Sequence, residues 1–71
     1  MKMKPQTATV LKHLQTFGVI THLRAESDYG ITRVASRIGE LEEAGYRIKH
    51  DTVSGINRFG KPTHFTRYHL Q

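Results

Sequence analysis

The first hydrophobic pattern of this 71-residue chain is helical. From Pro5 to Phe17 the apolar residues recur at intervals of three and four, which indicates an amphipathic helix. Pro5 suits the first turn of a helix, where its missing N–H breaks no bond. Gly18 follows at the position expected for a C-terminal cap. We therefore predict a first helix over residues 5–17, with an apolar face formed by Ala8, Val10, Leu11, Leu14 and Phe17.

A short second helix is predicted over residues 21–28. The β-branched pair Val19–Ile20 precedes it and is long enough only for a single bridging strand. The hydroxyl of Thr21 can cap the helix, which we expect to bury Leu23. Gly30 ends the segment because glycine accepts a positive φ.

The strongest helical pattern lies over residues 32–44. Thr32 is available as the N-cap, and Gly45 follows as a stop signal. The predicted apolar face consists of Ile31, Val34, Ala35, Ile38 and Leu41. The opposite face carries polar and charged residues, namely Thr32, Arg33, Ser36, Arg37, Glu40 and Glu43.

Beyond this helix the sequence favours β-structure. β-branched and aromatic residues alternate with polar ones on both sides of a segment rich in turn formers. We predict an antiparallel β-hairpin over residues 46–70, whose loop at residues 54–62 contains Arg58, Phe59 and Lys61. The apolar ring of Phe59 either folds back onto the core or inserts into a groove or a partner surface.

Length and composition restrict the class of protein. The chain allows one domain, residues 1–71, in which residues 1–5 form a flexible basic arm with Lys2 and Lys4. It contains no Cys, so a disulfide framework and a thiolate metal site are excluded. No apolar run approaches the roughly 18 residues of a membrane span, and the N-terminus resembles no signal peptide. We expect a cytoplasmic protein that does not engage a membrane.

The net charge of +5 points to a polyanionic partner, with nucleic acid ahead of membrane. Four of these five net charges lie in residues 47–71, the predicted hairpin. The strand residues Arg47, Lys49 and Arg67 either take part in binding or blunt an exposed sheet edge.

Metal binding and catalysis find no support in the sequence. The five His residues lack the spacing of metal ligands on one helical face. Glycine-rich phosphate loops are absent, and neighbouring carboxylates such as Glu42 and Glu43 do not converge as an acid–base pair. We predict a non-enzymatic protein without metal or cofactor.

Three helices followed by a basic hairpin are the element order of a winged helix-turn-helix, an α+β fold with a two-stranded antiparallel wing. A helix fits the major groove of B-DNA, and its exposed face can present Arg33, Ser36 and Arg37 to base edges. Lys2 and Lys4 of the arm can contact the DNA backbone. Alternatively, Arg33 and Arg37 are solvated helix residues, with Arg37 paired to Glu40 at i,i+3 spacing.

One stretch of the chain reads Gly30-Ile31-x-Arg33-Val34-x-x-Arg37-Ile38-x-x-Leu41-x-x-x-Gly45-Tyr46-x-Ile48. It is extended by Asn57, Gly60-Lys61 and Arg67-Tyr68-x-Leu70. In these residues the chain resembles the small helix-turn-helix proteins of phages and prophages, and the resemblance covers nearly the whole chain. It implies DNA binding through the third helix and the wing, with Arg33 and Arg37 as contacts.

Two functions from different classes follow from these patterns. The first is sequence-specific binding of double-stranded DNA, by a transcriptional regulator or an excisionase-like architectural factor, acting as a homodimer or as several copies on repeated sites. The second is a protein-interaction module that binds a host protein to inhibit or recruit it. The candidate DNA-binding residues are Thr32, Arg33, Ser36, Arg37 and Glu40 on the third helix, and Asn57, Arg58, Lys61, Lys2 and Lys4 in the wing and arm.

Overall fold

The computed structural model describes residues 3–71, in which three α-helices and three β-strands follow one another in the order α-β-α-α-β-β. The predicted α+β winged-helix architecture is confirmed. Lys2, which we expected in a basic arm, lies outside the described residues. The elements are α1 (Pro5–Phe17), β1 (Val19–Thr21), α2 (His22–Tyr29), α3 (Val34–Glu43), β2 (Ile48–Ile56) and β3 (Pro62–Leu70).

Local capping interactions fix the C-terminal end of α1 and the start of α2. Gly18 has a φ of 82°, and its N–H donates to the carbonyl oxygen of Leu14 at 2.7 Å. The Thr21 hydroxyl oxygen accepts a hydrogen bond from the Arg24 N–H at 3.1 Å, as its capping role requires. Both features agree with the sequence prediction.

The third helix begins two residues later than predicted. Arg33, not Thr32, occupies the N-cap position, and no side chain caps the helix there. The carbonyl oxygen of Arg33 accepts the N–H groups of Ser36 and Arg37, at 3.1 and 3.3 Å. The first turn is thus closed by backbone bonds alone, and Thr32 remains in the preceding loop. The helix ends at Glu43, with Ala44 as its C-cap.

The sheet has three strands, whereas the sequence predicted a two-stranded wing. β1 pairs with β3, which in turn pairs with β2, and both pairings are antiparallel. The partners of Val19, Ile20 and Thr21 are the β3 residues His69, Tyr68 and Arg67. A three-residue strand has no readable period, so its pairing is visible only once β3 is in place.

One hydrophobic core joins the helices to the base of the hairpin. Its buried members are Val10, Leu14, Ile20, Ala25, Ile31, Val34, Ile38, Leu41, Ile48 and Tyr68. The α2 helix contributes only Ala25 to this set, but the hydroxyl of Tyr29 at its end is hydrogen-bonded to Nδ1 of the buried His13 on α1, at 2.7 Å. The core thus holds α2 and α3 against α1.

Four residues that the sequence assigned to buried faces are exposed. One of them is Ala8, in the first turn of α1. Leu23 is 75% exposed because it lies about 200° around α2 from Ala25, the one residue of that helix which reaches the core. Phe17 lies at the end of α1, where its ring is 4.7 Å from that of His13 and 62% of it remains exposed. Ala35 on α3 is also exposed.

The hairpin projects beyond the helices. Each of its strands has nine residues, so the ribbon is roughly 30 Å long. Only Ile48 and Tyr68, near its base, are buried, while Ile56 and Phe59 at the far end are exposed. The alternative in which Phe59 folds back onto the core is therefore wrong. Across residues 3–71, no helix has the length and apolar character needed to cross a membrane.

Candidate nucleic-acid interface

The turn between α2 and α3 holds the start of α3 in a fixed position. Gly30 has a φ of 67°, and its N–H donates to the Glu26 carbonyl oxygen at 2.9 Å. The next N–H, that of Ile31, donates to the Ala25 carbonyl oxygen at 3.1 Å, and the Ile31 side chain is buried in the core. These contacts anchor the chain immediately before α3.

The residues leading into α3 and the first turn of this helix present polar side chains to solvent. Thr32, Arg33 and Ser36 are all exposed. Within residues 3–71 the Arg33 guanidinium forms no ion pair, so its charge is not neutralised by a neighbouring carboxylate. Three of the five residues predicted on this helix are therefore accessible to solvent at its N-terminal end or just before it.

The other two predicted residues, Arg37 and Glu40, are bonded to each other. The Arg37 Nη2 atom is 2.7 Å from the Glu40 Oε1 atom, and the two side chains are only 18% and 30% exposed. Glu40 also accepts a hydrogen bond from the hydroxyl of Thr7 on α1 at 3.0 Å, and the Lys4 ammonium is 3.9 Å from the same carboxylate. This network joins α3 to α1.

Participation in that network changes the expected role of Arg37. Its Nε atom is buried without a hydrogen-bond partner in the described part of the protein, and its Nη2 is directed to Glu40. The alternative of an i,i+3 pair, visible in the sequence, thus describes the geometry of this side chain. The positions of Thr7 and Lys4 in the network depend on tertiary packing and carry no sequence signal.

The tip of the wing is organised by Asn57. Its Oδ1 atom accepts the N–H groups of Phe59 and Lys61, at 2.9 and 3.0 Å. The Asn57 N–H donates to the Lys61 carbonyl oxygen at 2.9 Å, and Gly60 closes the turn with a φ of 77°. Asn57, predicted as a DNA-contacting residue, uses its carboxamide oxygen to shape the loop that presents Arg58 and Lys61.

The wing carries most of the unneutralised positive charge. Its one carboxylate, that of Asp51, is bonded to Arg67 at 3.0 Å and lies 3.8 Å from His69. In the chain from residue 3 onward, four exposed cations of the hairpin region lack an acidic partner, and they are Arg47, Lys49, Arg58 and Lys61. The Asp51–Arg67 pair follows from a strand register in which the two residues face each other.

No metal site is formed by the residues that the structure describes, since no three His, Asp or Glu side chains between residues 3 and 71 come together as ligands. Two of the His residues each contact one other polar side chain instead. His50 contacts Glu42 at 3.2 Å, and His64 contacts the Ser54 hydroxyl at 3.2 Å.

An anchored turn, a helix with an exposed first turn and a basic hairpin together define the winged helix-turn-helix class. In agreement with this geometry, residues 5–71 match a family model described as a winged helix-turn-helix domain. Because the match extends over nearly the whole chain, the protein belongs to that family. A search of curated proteins finds no significant match.

Proposed function

We propose that this protein binds specific sites in double-stranded DNA. The observation that carries the proposal is the combination of the exposed start of α3, where Arg33 has no ionic partner, with the unneutralised Arg58 and Lys61 at the wing tip. Its role would be that of a small transcriptional regulator or an excisionase-like architectural factor of the type found in phages and prophages.

The start of α3, together with the two residues that precede it, is the part of the protein suited to base recognition. In helix-turn-helix proteins the N-terminal residues of the recognition helix reach base edges in the major groove. Arg33 can bond guanine with two parallel hydrogen bonds, while the hydroxyls of Thr32 and Ser36 can reach a phosphate or a base. The acidic residues Glu42 and Glu43 lie at the other end of α3, and the Glu42 carboxylate contacts His50.

The wing is suited to contacts with phosphates or an adjacent minor groove. Arg58 and Lys61 stand on a turn whose backbone is held by Asn57, so their main-chain positions are defined before binding. Lys49 and Arg47, nearer the base of the hairpin, extend the positive surface. Contacts with the phosphate backbone of DNA contribute affinity for any sequence, whereas Arg33 would supply preference for particular bases.

A salt titration of affinity for a mixed-sequence duplex tests the proposal. With four to six phosphate contacts, the slope of log K against log salt should be about −4 to −5. Lys61→Ala should weaken binding to all sequences alike and reduce the magnitude of the slope by about one. Lys12→Ala is the matched control, since Lys12 is an exposed lysine on α1, and it should leave the slope unchanged.

The number of protein copies on one site forms part of the proposal. A single domain of this size contacts few base pairs, so a specific site needs a homodimer on a palindrome or several copies on repeats. Sedimentation of the protein on a selected duplex measures this number directly. If a single protein copy bound each selected duplex, and bound it as tightly as the complete palindrome or repeat, the multiple-copy arrangement would be contradicted.

The second candidate is a protein-interaction module. Acidic Glu43 and apolar Leu23 and Ile56 are exposed alongside the cations, a mixture that suits a protein surface. Absence of measurable duplex binding at about 50 mM salt would refute the DNA proposal and favour this one.

A further inference from the structure

The wing tip exposes an aromatic ring that contributes nothing to the folded core. Phe59 is 79% exposed, the largest exposed fraction among the large apolar side chains of residues 3–71. A solvated phenyl ring gains no burial energy in the free protein, so the ring is available for an apolar contact with another molecule.

The ring stands on a defined support. The Phe59 N–H is bonded to Asn57 Oδ1, and Gly60 on its other side adopts a left-handed conformation with a φ of 77°. Two nine-residue strands carry this turn away from the helices, in a molecule that measures 45 × 23 × 20 Å. The ring is therefore held at one end of an elongated protein.

The charges around the ring identify the chemistry of its partner. Arg58 precedes Phe59, Lys61 follows two residues later, and no carboxylate of residues 3–71 is bonded to either cation. A partner that complements this tip needs anionic groups on either side of an apolar surface. Duplex DNA has that arrangement, since the base stack lies between two phosphate backbones.

We propose that Phe59 enters the minor groove and inserts between two adjacent base pairs, so that the wing kinks the bound DNA. Arg58 and Lys61 bind the flanking phosphates and hold the ring in the step. Apolar side chains that partly unstack a base step in this way kink duplexes by about 20–90°. This inference rests on the proposed DNA binding and adds a deformation of the duplex to it.

The experiment uses the full chain and a duplex of about 30 base pairs selected from a random pool with the wild-type protein. Donor and acceptor dyes at its two ends report the bend by energy transfer. Separate duplexes carry 2-aminopurine at successive TA or CA steps, because its fluorescence rises when a base is unstacked. The variants are F59A, F59L and, as a matched control, F17A, which removes another exposed aromatic ring at the end of α1.

The wild-type protein and F17A should both shorten the end-to-end distance and raise 2-aminopurine fluorescence at one step. F59A should lose both signals while retaining a measurable salt-dependent affinity, because Arg33 and Lys61 are still present. F59L should retain most of both signals, since leucine also serves as a wedge.

The possible failures are distinguishable. If F59A bends the duplex and unstacks the step as the wild type does, the wedge is refuted while DNA binding stands. Salt-dependent binding by the wild type without any bend or unstacking would also refute the wedge and leave DNA binding in place. If the wild type does not bind duplex DNA, the wedge and the proposed function both fail. Circular dichroism spectra that match the wild type verify that each variant is folded.

Discussion

Arg33 and Arg37 lie four residues apart in the chain, but their substitution should have different effects. Removal of the Arg37 side chain should lower stability, whereas removal of the Arg33 side chain should lower DNA affinity. Arg37→Ala should lower the free energy of unfolding by about 1 kcal/mol, because the side chain joins the Glu40 network between α3 and α1. Arg33→Ala should change stability by less than about 0.5 kcal/mol, since Arg33 is exposed and unpaired among residues 3–71. It should instead weaken binding to a selected DNA site by about 1–3 kcal/mol.

The expected size of the Arg37 effect follows from its surroundings. A fully exposed i,i+3 ion pair contributes about 0.3–0.5 kcal/mol, whereas a hydrogen bond to a charged group contributes about 1.5–3 kcal/mol. With side-chain exposures of 18% and 30%, the Arg37–Glu40 pair lies between these cases. The buried Nε atom without a partner lowers the gain, since its desolvation is uncompensated.

Urea denaturation of the wild type, Arg37→Ala, Glu40→Ala and the double variant completes a thermodynamic cycle. The coupling energy should be about 1 kcal/mol, and the single Arg37→Ala variant should melt about 4–8 °C below the wild type. Thr7 still donates to Glu40 after the arginine is removed, so the carboxylate is not left without a partner.

Additivity of the two single substitutions within about 0.3 kcal/mol would show that the ion pair contributes nothing to folding. A loss of DNA affinity in Arg37→Ala equal to that in Arg33→Ala, with stability unchanged, would place Arg37 on the DNA-binding surface. Either result would refute the structural role assigned to Arg37.

Two further substitutions test the wing and the core. Asn57→Ala removes the acceptor of two backbone N–H groups at the wing tip, so the amide exchange of Phe59 and Lys61 should accelerate. Asn57→Asp keeps an acceptor oxygen and should preserve the protection of both amides. Equal exchange rates in the wild type and these two variants would contradict the capping role of Asn57. Ile38→Ala, at a core position with 1% exposure, should lower the urea-measured free energy of unfolding by about 2–5 kcal/mol. Ile56→Ala at an exposed position is its control and should cost less than about 0.5 kcal/mol, so similar losses in both would argue against the assigned core.

The long periodic segments of the chain could be predicted because their pattern repeats over several turns. Val10 and Leu14 on α1, and Ile38 and Leu41 on α3, are buried as their spacing of three and four requires. In the short α2 the pattern has no room to repeat, and the prediction that Leu23 is buried is wrong.

The candidate interface was predictable only in part. Exposure at the start of α3 follows from the position of Arg33 opposite the apolar face. The i,i+3 spacing of Arg37 and Glu40 was visible, but their link to Thr7 joins residues that are 33 positions apart in the chain. At the wing, Asn57 could be identified as a turn former, whereas which backbone groups it binds depends on the folded loop.

Because β1 pairs with only a short part of β3, the base of the hairpin and its outer part differ in stiffness. Residues 67–69 of β3 lie between two strands, whereas residues 62–66 of the same strand have β2 alone as a neighbour. A two-stranded ribbon is marginally stable by itself and twists readily, while a three-stranded sheet packed on a core is stiff. The boundary between Thr66 and Arg67 can therefore act as a point of bending, with the tip turn and the helices unchanged on either side. In the proposed DNA complex, bending at this boundary would let the wing follow grooves of different width while the packing of the core stays unchanged.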